Sequence, residues 1–491
     1  MNQSPFLTHP TNEQHQENGM FASASNFEIS GGQFVVTRNY QHGRRLDSLV
    51  LKVKACMTLF GCFLILFGTW GPSFLIWFNP YDKQISVAQM DWVFVVQAVM
   101  QFGLGVVGGK LSDLGHTKIV FIVGSLIYVF SFFMLSFADP RQMYQVMLTQ
   151  GVGMGIGGGL CYVPALMTPA LWFPRHQATI MGLVISAVWL GRATALVIWS
   201  YYTYFGWDGV KYDLSIISTI SYLFIIRVIA GFVSGVLMLG NALIIIPAGP
   251  PKTSNNPKTK YPYTLSIAAA FLGQLGGQWL SLQIPNFVNE AQSLIILSFS
   301  SSEPPALVFP SDYMLINYLQ AIPLFASGVG SVIPGFFADK YGTMGMNIIC
   351  QLVAAASAFL LYAGSTSGGI IVFGALYGFF YGSTFALIAP VITTIMTSEA
   401  DRGYVIGLAM APLAIVPIIT KSPLSDKIVD YVSVLANGGW TSGISKDWGK
   451  GVIFTALLLI AGATLQMVAR YLCIKETRTT SPAEAPNSQA A

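Results

Sequence analysis

Charged residues are scarce in this sequence. Asp, Glu, Lys and Arg make up 9% of its 491 residues, whereas hydrophobic residues make up 53%. A water-soluble domain usually carries about 25% charged residues. The composition therefore excludes an ordinary soluble globular domain, and the net charge of +4 gives no reason to expect a nucleic-acid partner.

Histidine and cysteine are also scarce, with five of each. The histidines all lie in predicted tails or loops, and the cysteines show no metal-ligand spacing. No Asp or Glu lies deep inside an apolar block. The sequence therefore predicts neither an intramembrane enzyme nor a resident metal or other cofactor.

Long apolar blocks dominate the chain, and many reach the roughly 20 residues that an α-helix needs to cross a bilayer. We predict an all-α integral membrane protein with twelve spans, at 54–78, 92–111, 119–137, 144–167, 178–202, 227–247, 263–287, 313–335, 346–363, 370–393, 404–421 and 452–471. The stretch 207–222 can be an outer loop or an extension of the sixth span, and we favour the loop.

The spans are predicted to form two six-helix bundles, 51–247 and 263–474, joined by a cytoplasmic linker at 248–262. Residues 1–50 and 475–491 are polar and are predicted to be disordered tails instead of a cleaved signal or a folded domain. Lys and Arg concentrate in the tails and in the loops on the same side, which predicts that both termini are cytoplasmic. We expect a monomer, in the plasma membrane in preference to an internal one.

An internal repeat relates the two predicted bundles. The segment Gly109–Gly115 after span two recurs as Gly335–Gly342 after span eight, with Asp113 and Asp339 226 residues apart. Two more pairs keep nearly the same spacing, namely Pro164 with Pro390, 226 apart, and Gly182 with Gly407, 225 apart. Landmarks in register predict two halves built alike, as in transporters whose substrate site lies between repeats.

The repeated segments are candidates for a gate. Asp113 and Asp339 can tie helix ends together by capping and charge pairing, which must break when an inner gate opens. A plain polar turn is the alternative. Gly109, Gly335 and Gly342 belong to the same two segments and are included in the predicted gate.

Two cations are candidate contacts for an anionic substrate. Arg192 lies about fourteen residues into span five, where an Arg costs on the order of 3 kcal/mol and therefore usually faces a cavity or a partner. Its guanidinium can bind a carboxylate through two hydrogen bonds, although stacking on Trp189 or snorkelling is the alternative. Lys421 lies near the outer end of span eleven, where a lysine is also common as an interface residue.

Polar side chains at helical spacing supply further candidates, because polar groups in hydrocarbon must find partners inside the protein. These candidates are Trp70, Gln274, Gln278, Asn317, Gln320, Tyr377 and Tyr381. Each can line a solute path or hold two helices together.

Two glycine strips predict close helix packing. One comprises Gly151, Gly155 and Gly159, and the other comprises Gly374, Gly378 and Gly382. Glycines four residues apart leave one side of a helix smooth, so that a neighbouring backbone can approach closely.

The pattern Gly-x-x-x-Asp-x-x-Gly, complete at Gly335–Gly342 and one residue short at Gly109–Gly115, resembles the loop motif of the major facilitator superfamily. Over about residues 60–420 the chain also resembles the fungal branch of the monocarboxylate-porter family, in Asp91-Trp92, the run Gly151–Gly159 and Val416-Pro417-Ile. The first resemblance implies two six-helix bundles that expose a site to either side in turn. The second implies a monocarboxylate substrate.

We therefore expect a secondary transporter for a small organic anion such as a monocarboxylate, with coupling to protons left open. The Gln and Asn side chains would also suit a neutral polar solute. A non-transporting membrane sensor is the other alternative, although neither tail is long or patterned. The solute, protons if coupled, and the lipid bilayer are the expected partners.

Overall fold

Helices account for nearly all of the described chain. The computed structural model describes residues 33–71, 87–139, 142–207, 214–246, 260–299, 310–363, 367–396, 401–421 and 446–480. The chain divides into two compact units, Met1–Lys54 and Ala55–Ala491. In the first, the described residues form helix from Gln33 onward; the second contains the helices discussed below.

Twelve helical segments follow one another in the described residues. They are α1 Gln33–Trp70, α2 Val87–Leu111, α3 Thr117–Leu135, α4 Met143–Trp172, α5 Gln177–Trp207, α6 Leu214–Leu243, α7 Lys260–Phe299, α8 Pro310–Tyr341, α9 Thr343–Ala358, α10 Ser367–Ile395, α11 Arg402–Lys421 and α12 Lys446–Thr480. Ten described segments are long and apolar enough to span a membrane. One of them, Asp91–Leu135, covers most of α2 and all of α3, and α7 is additional, so the described helices are consistent with twelve spans.

Three helices are irregular along their length. The α4 helix contains the π-helical segment Met147–Met154, followed by Pro164 and Pro169. A break at Leu387 interrupts α10, and the 3₁₀ segment Ala411–Ala414 interrupts α11. Proline removes a backbone donor and crowds the preceding turn, which accounts for the irregularity around Pro412 in α11.

Three predicted boundaries differ from the structure. The first helix begins at Gln33, inside the predicted 1–50 tail, and the last helix continues to Thr480, inside the predicted 475–491 tail. The loop favoured for 207–222 is wrong beyond Leu214, where α6 begins. No Gly or Pro interrupts the chain between Leu214 and Ala230, so nothing in that sequence ends a helix.

Contacts between the first six and the second six helices follow two equivalent seams. In one, α5 packs along α8, and in the other, α11 packs along α2. A Cβ on Gly182 of α5 would meet the carbonyl oxygen of Ser331, and a Cβ on Gly407 of α11 would lie 2.9 Å from the carbonyl oxygen of Gly105. Ser331 and Gly105 are 226 residues apart, so the sequence repeat recurs as a repeat of contacts.

The two glycine strips do pack closely, as predicted. A Cβ on Gly159 of α4 would lie 2.7 Å from the Gln101 carbonyl oxygen of α2. A Cβ on Gly382 of α10 would meet the backbone of Ser327 in α8, whose hydroxyl donates to the Gly378 carbonyl at 2.8 Å. The strips therefore hold equivalent helix pairs, α4 with α2 and α10 with α8.

Candidate functional site

A cavity lies among helices from both groups of six. Its volume is about 80 Å³. The lining residues come from α1, α2 and α5 and from α7, α8, α10 and α11: Trp70, Phe94, Gln97, Ala98, Gln101, Phe102, Val188, Trp189, Arg192, Leu196, Gln278, Ser281, Leu282, Ile284, Gln320, Pro323, Leu324, Tyr381, Phe385 and Pro417. The cavity is therefore shared between the two halves of the repeat.

Arg192 of α5 is the charged residue of this lining. Its guanidinium carbon lies 5.6 Å from the ring centre of Trp189 and 5.9 Å from that of Trp70. Pro417 of α11 also lines the cavity and lies 225 residues after Arg192, the same spacing as Gly182 and Gly407. The positive charge is thus supplied by one repeat alone, and the lining is not symmetric in charge.

Each of the two indoles is held by other aromatic rings. The ring centre of Trp70 lies 4.8 Å from that of Tyr162 and 5.4 Å from that of Phe102, both in the first six helices. Trp189 lies 5.6 Å from Tyr381, across in α10, so this aromatic contact joins the two halves. Packed rings restrict the rotamers of both indoles, which keeps the surroundings of the Arg192 guanidinium ordered.

Four glutamine side chains contribute uncharged polar groups to the cavity: Gln97 and Gln101 of α2, Gln278 of α7 and Gln320 of α8; Ser281 of α7 adds a hydroxyl. The Gln150 amide of α4 lies 3.5 Å from Gln97, at the limit for a hydrogen bond. Gln97 and Gln101 were not predicted from the sequence. Their signal was present, because two glutamines one helical turn apart interrupt an otherwise apolar span.

Five predicted contact residues line the cavity, and two do not. Trp70, Arg192, Gln278, Gln320 and Tyr381 lie in its wall. The exceptions, Gln274 and Tyr377, are buried outside that wall.

Tyr377 instead joins two helices, since its hydroxyl donates to the Gly277 carbonyl of α7 at 2.8 Å. Asn317 and Lys421 belong to α8 and α11, but their side chains lie outside the described residues.

Asp113 and Asp339 mark one end of the helix bundle, which we call the aspartate end. The carboxylate of Asp113 accepts the backbone N–H groups of Gly403 at 2.9 Å and Tyr404 at 2.8 Å, at the start of α11. Asp113 lies in the π-helical turn Ser112–His116 between α2 and α3, so the contact joins one half of the repeat to the other. The first turn of α11 has no cap from its preceding Asp401 and receives one from Asp113.

Asp339 makes the equivalent contact in the other seam. Its carboxylate accepts the backbone N–H groups of Ala178 and Thr179 at 2.9 Å each, and the Thr179 hydroxyl at 2.6 Å. These groups lie at the start of α5, where the exposed N–H groups and the helix dipole favour a negative charge. Each aspartate thus caps a helix of the opposite half.

The glycines of the repeated segments allow this approach. A Cβ on Gly109 would meet the carbonyl oxygen of Gly403, and a Cβ on Gly335 would lie 2.8 Å from that of Ala178. Gly115 and Gly342 have φ values of 91° and 100°, which favour glycine. The one-residue shortening of the first copy therefore keeps both the left-handed glycine and the capping aspartate.

One ion pair reinforces the α2–α11 seam. The Lys110 ammonium lies 3.0 Å from an Asp401 carboxylate oxygen and 5.2 Å from the ring centre of Tyr404. Both charged side chains are about half exposed, at 46% and 52%. Such a pair contributes little, because water and salt screen it.

Among the described residues, no group of three or more His, Cys, Asp or Glu side chains is arranged to hold a metal ion. The chemistry of this cavity is that of a cation, amides and aromatic rings. That set can bind a solute, and it contains no nucleophile paired with a base among the lining residues.

The fold and this site define a multi-pass helical membrane protein with a solute-sized cavity between two groups of helices. Comparisons with known proteins agree. Residues 58–261 match the family Major Facilitator Superfamily. A solved structure of the transporter FucP in the outward conformation shares the fold, with a TM-score of 0.57 and 13% identity over 84% of this chain and 98% of the other.

Curated relatives come from fungi. MFS-type transporter 1 of Ophiocordyceps sp. (strain BCC 1869) is 26% identical over 80% of this chain and 78% of its own length. The aspyridones efflux protein of Emericella nidulans is 27% identical over 74% and 70%. The agnestins efflux protein of Paecilomyces divaricatus is 24% identical over 87% and 90%.

The chain is similar to Major Facilitator Superfamily transporters, the superfamily that its loop motif resembles: residues 58–261 match the family and the fold is shared with one of its solved members. Since the relatives are transporters, the prediction that it is not an enzyme is confirmed. The finer resemblance to monocarboxylate porters is not supported, because these relatives are named as efflux proteins or as transporters of the wider superfamily.

Proposed function

We propose that this protein exports a small organic anion by alternating access, with Arg192 as the counter-charge of the anion. The observation that carries the proposal is the position of Arg192, on the wall of a cavity to which both halves contribute. The efflux direction comes from relatives that are named as efflux proteins.

The electrostatics of the cavity favour an anion. Arg192 is the charged member of the described lining, so the wall carries a net positive charge. Its guanidinium can form two parallel hydrogen bonds with a carboxylate, and such charge-assisted bonds are about twice as strong as neutral ones. A neutral polar solute would use the glutamines but would leave this cation without an anionic partner from the substrate.

The seams support a rocking motion. At the aspartate end the two halves meet through backbone contacts at glycines and through the two capping carboxylates. These contacts can break together when α2 and α5 move away from α11 and α8. Rigid-body movement of one repeat against the other around a central site is the usual route of alternating access.

The orientation follows from the sequence. Lys110, Lys118, Arg175, Lys340 and Arg402 cluster near the aspartate end, and positive residues are retained on the cytoplasmic side. With the aspartate end cytoplasmic, the contacts described above close the inner gate. The structure would then correspond to an outward-facing state, like the solved structure whose fold it shares.

Transport in proteoliposomes tests the proposal. Purified protein is reconstituted, and exchange of labelled pyruvate, succinate and benzoate is measured beside neutral glycerol, with and without a proton ionophore. Arg192→Gln is compared with the native chain. The matched control is Arg227→Gln, which removes an exposed arginine that lies over the Phe137 ring at 5.0 Å, away from the cavity.

We expect at least one anion to be exchanged, with the rate reduced at least tenfold in Arg192→Gln and unchanged in Arg227→Gln. Exchange of glycerol but of no anion would favour the neutral-solute alternative. Anion exchange that Arg192→Gln leaves intact would remove Arg192 from the site. An ionophore effect would add proton coupling.

A further inference from the structure

The lining of the cavity also indicates which chemical group is attached to the carboxylate of the anion. Resting on the proposed function, we propose that the preferred substrate is a single-ring aromatic acid, bound with its carboxylate at Arg192 and its ring against the indoles of Trp70 and Trp189. The size of the cavity, the make-up of its wall and the unused donors around it each point to this class.

The size limits the substrate in the observed state. A volume of about 80 Å³ is several times the roughly 10 to 15 Å³ that a single water molecule needs, so the cavity admits a small molecule and not merely one water. One ring with a short acidic substituent is a substrate of this order of size, whereas a large polycyclic compound is not.

The wall favours a flat π-system over an aliphatic one. Six aromatic residues line the cavity: Trp70, Phe94, Phe102, Trp189, Tyr381 and Phe385. Both indole rings lie within 6 Å of the guanidinium carbon, at 5.9 and 5.6 Å. A carboxylate bound to Arg192 therefore brings its attached ring within contact distance of at least one indole, where aromatic rings attract each other in offset or edge-to-face geometry.

Unused hydrogen-bond donors surround the same place. The indole Nε1 atoms of Trp70 and Trp189, the Gln101 Nε2 and the Tyr162 hydroxyl are buried and have no hydrogen-bond partner among the described residues. Three of these residues line the cavity, and Tyr162 lies directly behind Trp70. Buried donors without acceptors are unfavourable, so a ligand rich in acceptor oxygens is stabilised here.

These groups set a chemical requirement. The two indole N–H groups donate and cannot accept, whereas the Gln101 amide and the Tyr162 hydroxyl can do both, so this set has more donors than acceptors and favours a ligand with acceptor oxygens. Carboxylate, carbonyl and ring-hydroxyl oxygens can accept from them. The combination of a cation, extra donors and aromatic faces is the complement of an oxygen-bearing aromatic acid.

Competition against labelled benzoate tests the inference in the native protein. Unlabelled benzoate is compared with cyclohexanecarboxylate, which has the same charge and ring size but no π-system, with acetate, and with neutral benzyl alcohol. We expect benzoate to compete about tenfold better than cyclohexanecarboxylate, from one or two aromatic contacts, and better still than acetate or benzyl alcohol. This comparison uses only the native protein, so a variant that fails to fold cannot affect its result.

Variants then locate the preference. Trp189→Leu is expected to bring the ratio between the two ring acids close to one, whereas Trp189→Phe keeps part of it because a π-face remains. Trp92→Leu is the control, since Trp92 is exposed at 45% and lies outside the cavity wall.

Equal competition by cyclohexanecarboxylate would overturn the aromatic preference. If exchange still depended on Arg192, the proposed function would stand without the aromatic preference. Failure to exchange any acid would overturn the proposed function itself. A preference for benzoate that Trp189→Leu leaves unchanged would contradict the placement of the ring.

Discussion

Removal of the Asp339 carboxylate should open the aspartate end. The carboxylate accepts three hydrogen bonds from Ala178 and Thr179 at the start of α5, at 2.6 to 2.9 Å. All three cross from one half of the protein to the other. They exist only when the seam between α5 and α8 is closed, so they contribute to the closed state alone.

The magnitude can be estimated from helix capping. Loss of a capping side chain costs about 0.5 to 2 kcal/mol, and a hydrogen bond to a charged group contributes about 1.5 to 3 kcal/mol. A loss of about 2 kcal/mol from the closed state lowers the ratio of closed to open molecules about thirtyfold, since 1.4 kcal/mol is a factor of ten. Asp339→Asn keeps one acceptor oxygen and should cost about half as much.

Pulsed electron–electron double resonance measures the distance between two spin labels and can therefore detect the opening. Spin labels are attached at cysteines that replace Ile119 on α3 and Tyr471 on α12, which are exposed at 58% and 66% and belong to opposite halves. We expect a longer distance to gain population in the order native, Asp339→Asn, Asp339→Ala. Asp139→Ala, which alters an exposed aspartate elsewhere, is the control and should match the native protein.

A distance distribution in Asp339→Ala that equals the native one would refute the reasoning, because the three hydrogen bonds would then contribute nothing to closure. A larger effect of Asn than of Ala would contradict the assignment to hydrogen-bond loss. It would indicate steric disturbance at the seam instead.

Three further predictions concern other contacts. Gly182→Ala places a methyl group against a backbone carbonyl of α8 and should shift the same distance distribution to long values, whereas Gly231→Ala, with open space around its Cβ, should not. Lys110→Gln removes a half-exposed ion pair, so it should open the aspartate end less than Asp339→Ala does. At high salt the native pair is already screened, so the variant and the native protein should then give the same distance distribution. Tyr377→Phe removes one buried hydrogen bond and should lower the free energy of unfolding by about 1 kcal/mol without changing the apparent substrate affinity, measured by denaturation and exchange assays.

The sequence predicted most of the helices because each one is an apolar block with polar ends. It failed where polarity and helix formation diverge. The segment from Gln33 is polar but contains one glycine, Gly43, and no proline up to Lys54, so it forms helix without being apolar. In the stretch after Leu214, a loop was favoured over an extension of the sixth span, and the chain forms helix there because nothing in that sequence ends a helix.

The candidate site was predicted in part. Arg192 stands out because a charge in an apolar helix is costly, and the structure puts it in the cavity wall. Tyr377 and Tyr381 share a helix face, but they differ by about 6 Å along the axis, and that shift takes Tyr377 out of the wall. Spacing along one helix gives the face and not the depth of a cavity formed by seven helices.

The sequence also did not predict which helices Asp113 and Asp339 cap at the aspartate end. The repeat identified Asp113 and Asp339 as candidate caps, but a capping aspartate usually serves the helix that follows it in the chain. Here each one serves a helix of the other half, at α11 and at α5. Only the packing of the two halves decides this pairing.

Labelling of the cavity wall from either side of the membrane tests the central claim most directly. Ala98 lines the cavity and is buried, and Ala98→Cys can be made in a background whose five native cysteines are replaced. A membrane-impermeant maleimide is then applied to right-side-out and inside-out vesicles. Alternating access predicts that Cys at this position reacts from both sides, and that Asp339→Ala raises the rate from the aspartate end and lowers it from the other. Reaction from one side only, in the native protein and in the variant alike, would contradict the account.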